Sequence, residues 1–480
     1  MEVTNTTSKT TAISKAVVFL ALEILAFIAF GLGHSFIFYS VLSVLILGLT
    51  IFAAFKQINK DGLSSYLFFL FPILLYGLLA ALSHFNKDQN FDLYGGLSFF
   101  VPIGLVCFAG TGYFLSINKE FKIKTALLII YSAIAIYTAI NLLATFIHFA
   151  PFHTLLYKNK YIYFDGSPSN SPVGEMAYML IGFQMNETSI ETFSLCPTVL
   201  LSAFVPLFFT KYKEDKKTFI LYLSFGILGL VSLIFTPTKM TILTDIFVVL
   251  VLAFVILTIK GKIGKKFYLY GGIAFGVLFL IAFLILTMCA QSNPNALESK
   301  VLSFISSNTF LNRLFVTNRV VSPFRSILDK LFSSYKLLGV PTWSTTSDYY
   351  YPNGTPLSGS WFFDNIVTNG SFGAIFFIIV LVISIRRMVL YFKYSEDGLK
   401  EKALIFGFVF SFLAYTVLNF DSTPFIFSSD IFPIYESGLM LVMLFLFSYC
   451  YARSEKPKVV SEETPSGETK EEIKNEEIQL

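Results

Sequence analysis

Arg313, Arg319 and Arg325 fall within one polar stretch, Asn293 to Phe362, and make up half of the six arginines in the chain. A guanidinium group stays charged and presents a planar fork of donors that matches phosphate oxygens two at a time. Spacing by six turns an α-helix by about 600°, so on one straight helix the three would point in three directions. Pro323 breaks any such helix as well. The three are better placed to converge from a turn, and a diphosphate is the ligand that uses such a gathering. The plainer reading pairs Arg325 with Asp329 at i,i+4 and leaves Arg313 and Arg319 on lipid headgroups.

The sequence around Arg325 specifies a helix. Ser322 suits the N-cap and Pro323 the first helical position. Phe324, Ile327, Leu328, Leu331, Tyr335 and Leu338 follow helical spacing, and Gly339 can end it. With Lys330 and Ser333 off the apolar stripe, it reads as an amphipathic helix at the membrane surface. Arg325 would then lie in its first turn, where free N–H groups and the helix dipole favour an anion. Residues 342–359, rich in Tyr, Ser, Thr, Pro and Gly, read as loop.

Carboxylates suited to proton transfer lie elsewhere. Gly182 to Glu187 precedes an apolar span, and Glu187 or Glu191 can act as a general base or orient a sugar hydroxyl; a solvated helix start explains them equally. Asn186 sits beside Glu187. Lys158 and Lys160 stand among Tyr157, Tyr161 and Tyr163 and suit a sugar or a headgroup, although an interfacial aromatic belt accounts for the tyrosines too. Asp364 and Asn365 begin another span, followed by Gly370 and Gly373. An acid at the mouth of a span is costly unless used or paired, and an Asp there is also a common helix cap. Glu23, Asp245 and Glu436 lie inside spans and are candidates by position alone; Lys239 is six residues from Asp245 and poorly aligned to pair with it. The four histidines (His34, His84, His148, His153) lack metal-ligand spacing, and the four cysteines imply neither a disulfide framework nor a zinc site. No metal or cofactor is expected.

The elements that must position these groups are helices in a bilayer. The chain has 480 residues, 55% hydrophobic and only 14% charged, with a mean hydropathy of +0.69. A soluble domain carries about a quarter charged residues. Apolar runs long enough to cross a ~30 Å hydrocarbon core recur, at roughly 16–33, 36–55, 66–83, 95–116, 125–147, 192–210, 219–235, 241–259, 267–289, 366–385, 403–420 and 431–452. The fold class expected is therefore all-α, a polytopic membrane protein of about twelve spans, without the alternation of a β-barrel. Basic residues cluster in every second loop: Lys56 and Lys60; Lys119 to Lys124; Lys211 to Lys217; Lys260 to Lys266; Arg386 to Lys402; and Arg453. The positive-inside rule places these loops and both termini in the cytoplasm. Two long loops, about 149–191 and 291–362, then face outside, and the three arginines there run against the rule. The domain organisation expected is a short cytoplasmic segment at 1–15, a membrane domain at 16–452, and a polar, disordered cytoplasmic tail at 453–480. The first span lacks a cleavage site and reads as retained. Nothing points to nucleic acid.

Four motifs in chain order resemble the Wzy-type O-antigen and capsular polysaccharide polymerases, a bacterial family related to the O-antigen ligases. Gly182-Phe183 with Asn186 is similar to the family's GF-x-PN, with Met185 in place of proline. Thr236-Pro237-Thr238-Lys239 stands where the family often has S-x-SR. Asn312, then Asn318-Arg319, then Leu338-Gly339 resembles the large-loop N…GR…(L/F)G pattern, with Asn318 for glycine. Asp364-Asn365 with Gly370 and Gly373 resembles the DN…G..G start of the next span. The resemblance implies a GT-C-like membrane glycosyltransferase that needs no metal. Its substrates would be undecaprenyl-diphosphate-linked oligosaccharide repeats at the outer face of the cytoplasmic membrane, with a flippase and a chain-length regulator as companions. In that scheme Arg313, Arg319 and Arg325 stabilise the departing diphosphate, and Glu187 or Asp364 takes the acceptor proton. Asn186, Lys239, Asn365, Lys158 and Lys160 hold the substrate.

Two other readings stand beside it. A ligase-like transferase would use the same donor, but the ligases carry a histidine in the large loop and this chain has none after His153. A twelve-span transporter or flippase usually keeps loops short and polar groups at the bilayer midplane, whereas here the polar residues are spent on loops.

Overall fold

The computed structural model describes residues 15–24, 36–55, 60–82, 100–148 apart from 119, 195–234 apart from 214, 239–264, scattered positions in 266–285, then 296–307, 361–418 and 435–454. Twelve helices are bounded within these residues, and no strand occurs among them. They are α1 Phe36–Ala54, α2 Lys60–Leu82, α3 Phe100–Ile117, α4 Ile123–His148, α5 Leu195–Leu201, α6 Phe204–Leu207, α7 Lys216–Ile234, α8 Lys239–Ile259, α9 Ala296–Ser307, α10 Trp361–Tyr394, α11 Leu399–Leu418 and α12 Tyr435–Arg453. A further helical stretch covers 15–24.

Three of these helices are long and apolar enough to cross a membrane, with spans at Gly62–Leu79, Lys216–Leu233 and Ser371–Tyr394, and shorter apolar helices accompany them. The chain is all-helical over its described residues and carries helices able to span a bilayer.

Three elements differ from the sequence reading. The span expected at 192–210 is broken into α5 and α6. Pro206 has no N–H to return to the Ser202 carbonyl and its ring crowds that carbonyl, so Val205 N–H takes it instead at 3.0 Å. Ser202 N–H and Ala203 N–H likewise reach back only three residues, to Val199 and Leu200, both at 3.0 Å. The Ser202 hydroxyl donates to the Val199 carbonyl at 2.6 Å and meets the Tyr131 hydroxyl from α4. The second long loop region, for its part, contains α9, a helix absent from the reading of that segment. Third, α10 runs for 34 residues, about 51 Å at 1.5 Å per residue, well beyond a hydrocarbon core. The amphipathic helix expected at 322–339 lies outside the described residues.

The helices pack in two groups. In the first, α3 lies against α1, α2 and α12, and α10 lies against α2 and α12. In the second, α11 packs on α8, α5, α6 and α4, and α5 packs on α7. The groups meet where α11 touches α10 and α12. From Leu439 to Tyr451 every residue of α12 is buried, as an all-round apolar helix at the centre of a bundle must be. Close approach there depends on Gly112: a Cβ on it would stand 2.5 Å from the Phe445 carbonyl oxygen and 3.1 Å from Phe445 Cα. By contrast α2 and α10 turn Phe68, Phe71, Val382 and Val389 outward, the apolar belt expected of a lipid-facing surface.

Candidate functional site

The alternation of basic loops is visible in three dimensions. Lys124 and Lys400 both pair with Asp215, at 3.5 and 3.8 Å. Lys15 reaches Glu120 at 4.0 Å, and Lys260 at the end of α8 lies over the Phe208 ring beyond α6. The loops after α3, α6, α8 and α10 and the start of the 15–24 helix thus share one end of the bundle. Asp215 also caps α7: its carboxylate accepts the Thr218 N–H at 3.2 Å, the N-cap to N3 bond. The Thr218 hydrogen bonds, with Lys124 and Lys400 beside them, hold the Asp215 carboxyl below the ordinary carboxylate range.

Two further clusters tie that end together. Asp397, in the turn between α10 and α11, accepts the Tyr391 hydroxyl at 2.7 Å and the Tyr449 hydroxyl at 2.8 Å. Lys402, 7% exposed, donates to the carbonyls of Phe392 at 3.0 Å and Ser395 at 2.7 Å. A cation on the last carbonyls of a helix satisfies them and complements the helix dipole. In the second cluster the Arg387 guanidinium lies 3.9 Å from the centre of the Tyr451 ring. It donates to the Tyr451 hydroxyl at 2.9 Å and to the Ser454 hydroxyl at 3.3 Å. Tyr451 in turn donates to the Ser65 carbonyl at 2.8 Å and stacks on Phe69. A cavity of about 240 Å³ opens beside this group, lined by Phe68, Ile383, Leu390 and Arg386 as well as by Phe69, Arg387 and Tyr451.

The other end of the bundle holds the starts of α5, α8 and α10, the helices that follow residues 149–194, 235–238 and 308–360. One polar contact joins two of them within the apolar interior. The Thr198 hydroxyl of α5 donates to the Asp245 carboxylate of α8 at 2.8 Å. Thr198 is therefore a partner of this acid among the described residues. The carboxylate lies about 9 Å along α8 from its first residue, at 1.5 Å per residue, and Thr198 lies in the first turn of α5. An acid so placed stays in an apolar bundle only if hydrogen-bonded or used.

Of the residues singled out from sequence, Lys239 is the first of α8, and Asp364 and Asn365 fall at the beginning of α10; their backbones are placed and their side chains lie outside the description. Asp364 is the fourth residue of α10. Arg313, Arg319, Arg325, Glu187, Asn186, Lys158 and Lys160 lie outside the described residues. Sequence reasoning did not single out Thr198, Arg387, Tyr451 or Asp397. The adjacent Arg386 and Arg387 were a readable signal, because two of six arginines side by side near a helix end are more than a topology marker needs.

No protein-family model matches this chain, nor does any curated protein or solved structure.

Proposed function

We propose that this protein is a membrane glycosyltransferase that polymerises lipid-diphosphate-linked oligosaccharide repeats on the outer face of the bacterial cytoplasmic membrane, with a GT-C-like helical architecture and both termini inside. The observation that carries the reading is the set of three arginines in a loop assigned to the outer side by alternation, directly ahead of Asp364-Asn365. The gathering of the basic loops at one end of the bundle supports that assignment. So does the start of α10 at Trp361, which puts Asp364 and Asn365 in its opening turns at the opposite end.

In the reaction an acceptor sugar hydroxyl attacks the anomeric carbon of the donor glycan. The new C–O bond forms as the bond to the diphosphate breaks, and the hydroxyl proton passes to a carboxylate, Glu187 or Asp364. The diphosphate leaves with the bonding pair, and its growing charge is met by Arg313, Arg319 and Arg325, fixed charge stabilisation of the kind that supplies much of an enzyme's rate. Lys158, Lys160, Asn186, Lys239 and Asn365 hold the glycan or headgroup. The donor is already activated, so neither nucleotide nor ion gradient is needed.

The decisive experiment uses purified protein in detergent with lipid-diphosphate-linked repeats alone. A ladder of longer products, insensitive to chelator, is the expected outcome. Lipid translocation in sealed vesicles without a new glycosidic bond would identify a flippase. Loss of the ladder on chelation, restored by divalent metal, would remove the arginine mechanism and leave the reaction class.

A further inference from the structure

We propose that the cavity between α2, α10 and the end of α12 binds the headgroup phosphate of an anionic phospholipid, with phosphatidylglycerol as the simplest example. The inference uses none of the residues assigned to glycosyl transfer, and its failure would leave that reading standing.

Charge comes first. Arg386 and Arg387 both line the cavity, and among the described residues neither has a carboxylate within ion-pair distance. Arg387 is held in place: it is stacked on Tyr451 and spends one donor on Tyr451 and one on Ser454. A guanidinium has five N–H donors, so a pre-oriented remainder of the fork is available to an oxygen anion. Arg386 is exposed and can close over the same anion.

Depth and lining select a lipid over a free phosphate. Arg387 stands seven residues before the end of α10, about 10 Å along the axis, and Ser65 stands five residues after the start of α2, about 8 Å. That is the level of headgroups rather than of bulk water. The cavity wall continues into the outward apolar surface: Phe68 is 79% exposed, and Ile383 and Leu390 complete the wall. A headgroup seated on the arginines would lay its acyl chains along Phe68, Phe71 and Val382. Basic pockets between membrane helices on the cytoplasmic side take anionic headgroups by this arrangement.

The test titrates the purified full-length protein with phosphatidylglycerol, with phosphatidylcholine of the same chains, and with glycerol 1-phosphate, counting bound molecules by native mass spectrometry. Phosphatidylglycerol should bind at least about tenfold more tightly than phosphatidylcholine, and glycerol 1-phosphate should not compete at equal concentration. Arg386→Gln should weaken binding about fivefold, the weight of one basic side chain at an anionic surface. Arg386→Glu should weaken it further, and Arg386→Lys should retain most of it. The Arg386 series carries the test because that side chain holds no described contact, whereas Arg387→Gln also loosens Tyr451 and Ser454. Equal affinity for the two lipids would overturn the proposal, as would unchanged phosphatidylglycerol binding in Arg386→Glu. Competition by glycerol 1-phosphate at equal concentration would overturn the lipid assignment.

Discussion

Replacing Lys402 with methionine tests whether the turn between α10 and α11 is held by its ammonium group. The side chain is buried, and its Nζ donates to the Phe392 and Ser395 carbonyls at 3.0 and 2.7 Å. A hydrogen bond to a charged group contributes about 1.5–3 kcal/mol, which puts the gross loss for two near 3–6 kcal/mol. Methionine has a similar length and avoids the cost of burying a charge, which is itself several kcal/mol, and some water can reach Ser395. The net destabilisation expected is about 2–3 kcal/mol, with no cavity term to confuse it. At about 2–4 °C per kcal/mol for a large domain, the unfolding midpoint should fall by roughly 4–12 °C. Heating the detergent-solubilised protein in steps and measuring the surviving monodisperse peak by size-exclusion chromatography gives an operational midpoint. Lys402→Arg, which keeps the charge, should fall between methionine and wild type. A Lys402→Met midpoint within about 1 °C of wild type would mean that Asp397, with Tyr391 and Tyr449, holds the turn alone.

Asp215→Asn should lower the same midpoint by removing the anchor of Lys124 and Lys400 and weakening the α7 cap. Because the folded carboxyl titrates below its ordinary range, its contribution is fully present above that range and is lost only as pH falls through the lower folded value. The gap between wild type and Asp215→Asn should therefore stay constant from about pH 8 to 5 and close only in stronger acid; a gap that closes near neutrality would contradict the linkage. Arg319→Ala should abolish polymer while single lipid-linked repeats accumulate at unchanged protein level, and lysine should rescue poorly because a point charge does not replace a planar fork; normal polymer in the alanine variant would take Arg319 out of the site. Cysteine at Ser347 should react with an impermeant thiol reagent added outside and cysteine at Lys262 should not; labelling of Lys262 instead would reverse the topology and remove the proposed mechanism.

Element identity was legible in this sequence because the governing signal is one-dimensional. Runs of apolar residues interrupted by Lys clusters mark helices and loops without reference to neighbours, and most helices begin and end within a few residues of the apolar runs. The reading failed where a local hydrogen bond decides. At 192–210 the run is mostly apolar, yet Pro206 denies the Ser202 carbonyl its usual donor, and α5 gives way to α6 there. At 296–307 the apolar positions Leu297, Val301 and Ile305 follow a helical spacing, but the segment reads as loop when judged by its polarity. Helix neighbours were not legible at all. Nearly uniform apolarity around a membrane helix removes the stripe that identifies a buried face in a soluble protein. Nothing in the composition of α12 therefore distinguishes it as the central helix from α2 or α10, which turn apolar side chains outward.

The same limit explains which polar residues were found. Arg313, Arg319 and Arg325 stand out because a one-dimensional rule, charge against loop side, makes them exceptions. Asp245 stands out by a rule of the same kind, an acid inside a span, but Thr198 obeys none: it is a hydroxyl in an apolar helix 47 residues earlier, and only packing shows that the two are partners. Their bond joins α5, which follows the first long loop, to α8, which follows the Thr236–Lys239 segment. That part-buried hydrogen bond fastens the start of α5, the helix after the segment that carries Glu187, to the start of α8, which opens on Lys239. On the reading proposed here, Glu187 and Lys239 must face one substrate, so Asp245 acts as a positioning residue, and the rigidity of α5 against α8 is the property on which their alignment depends.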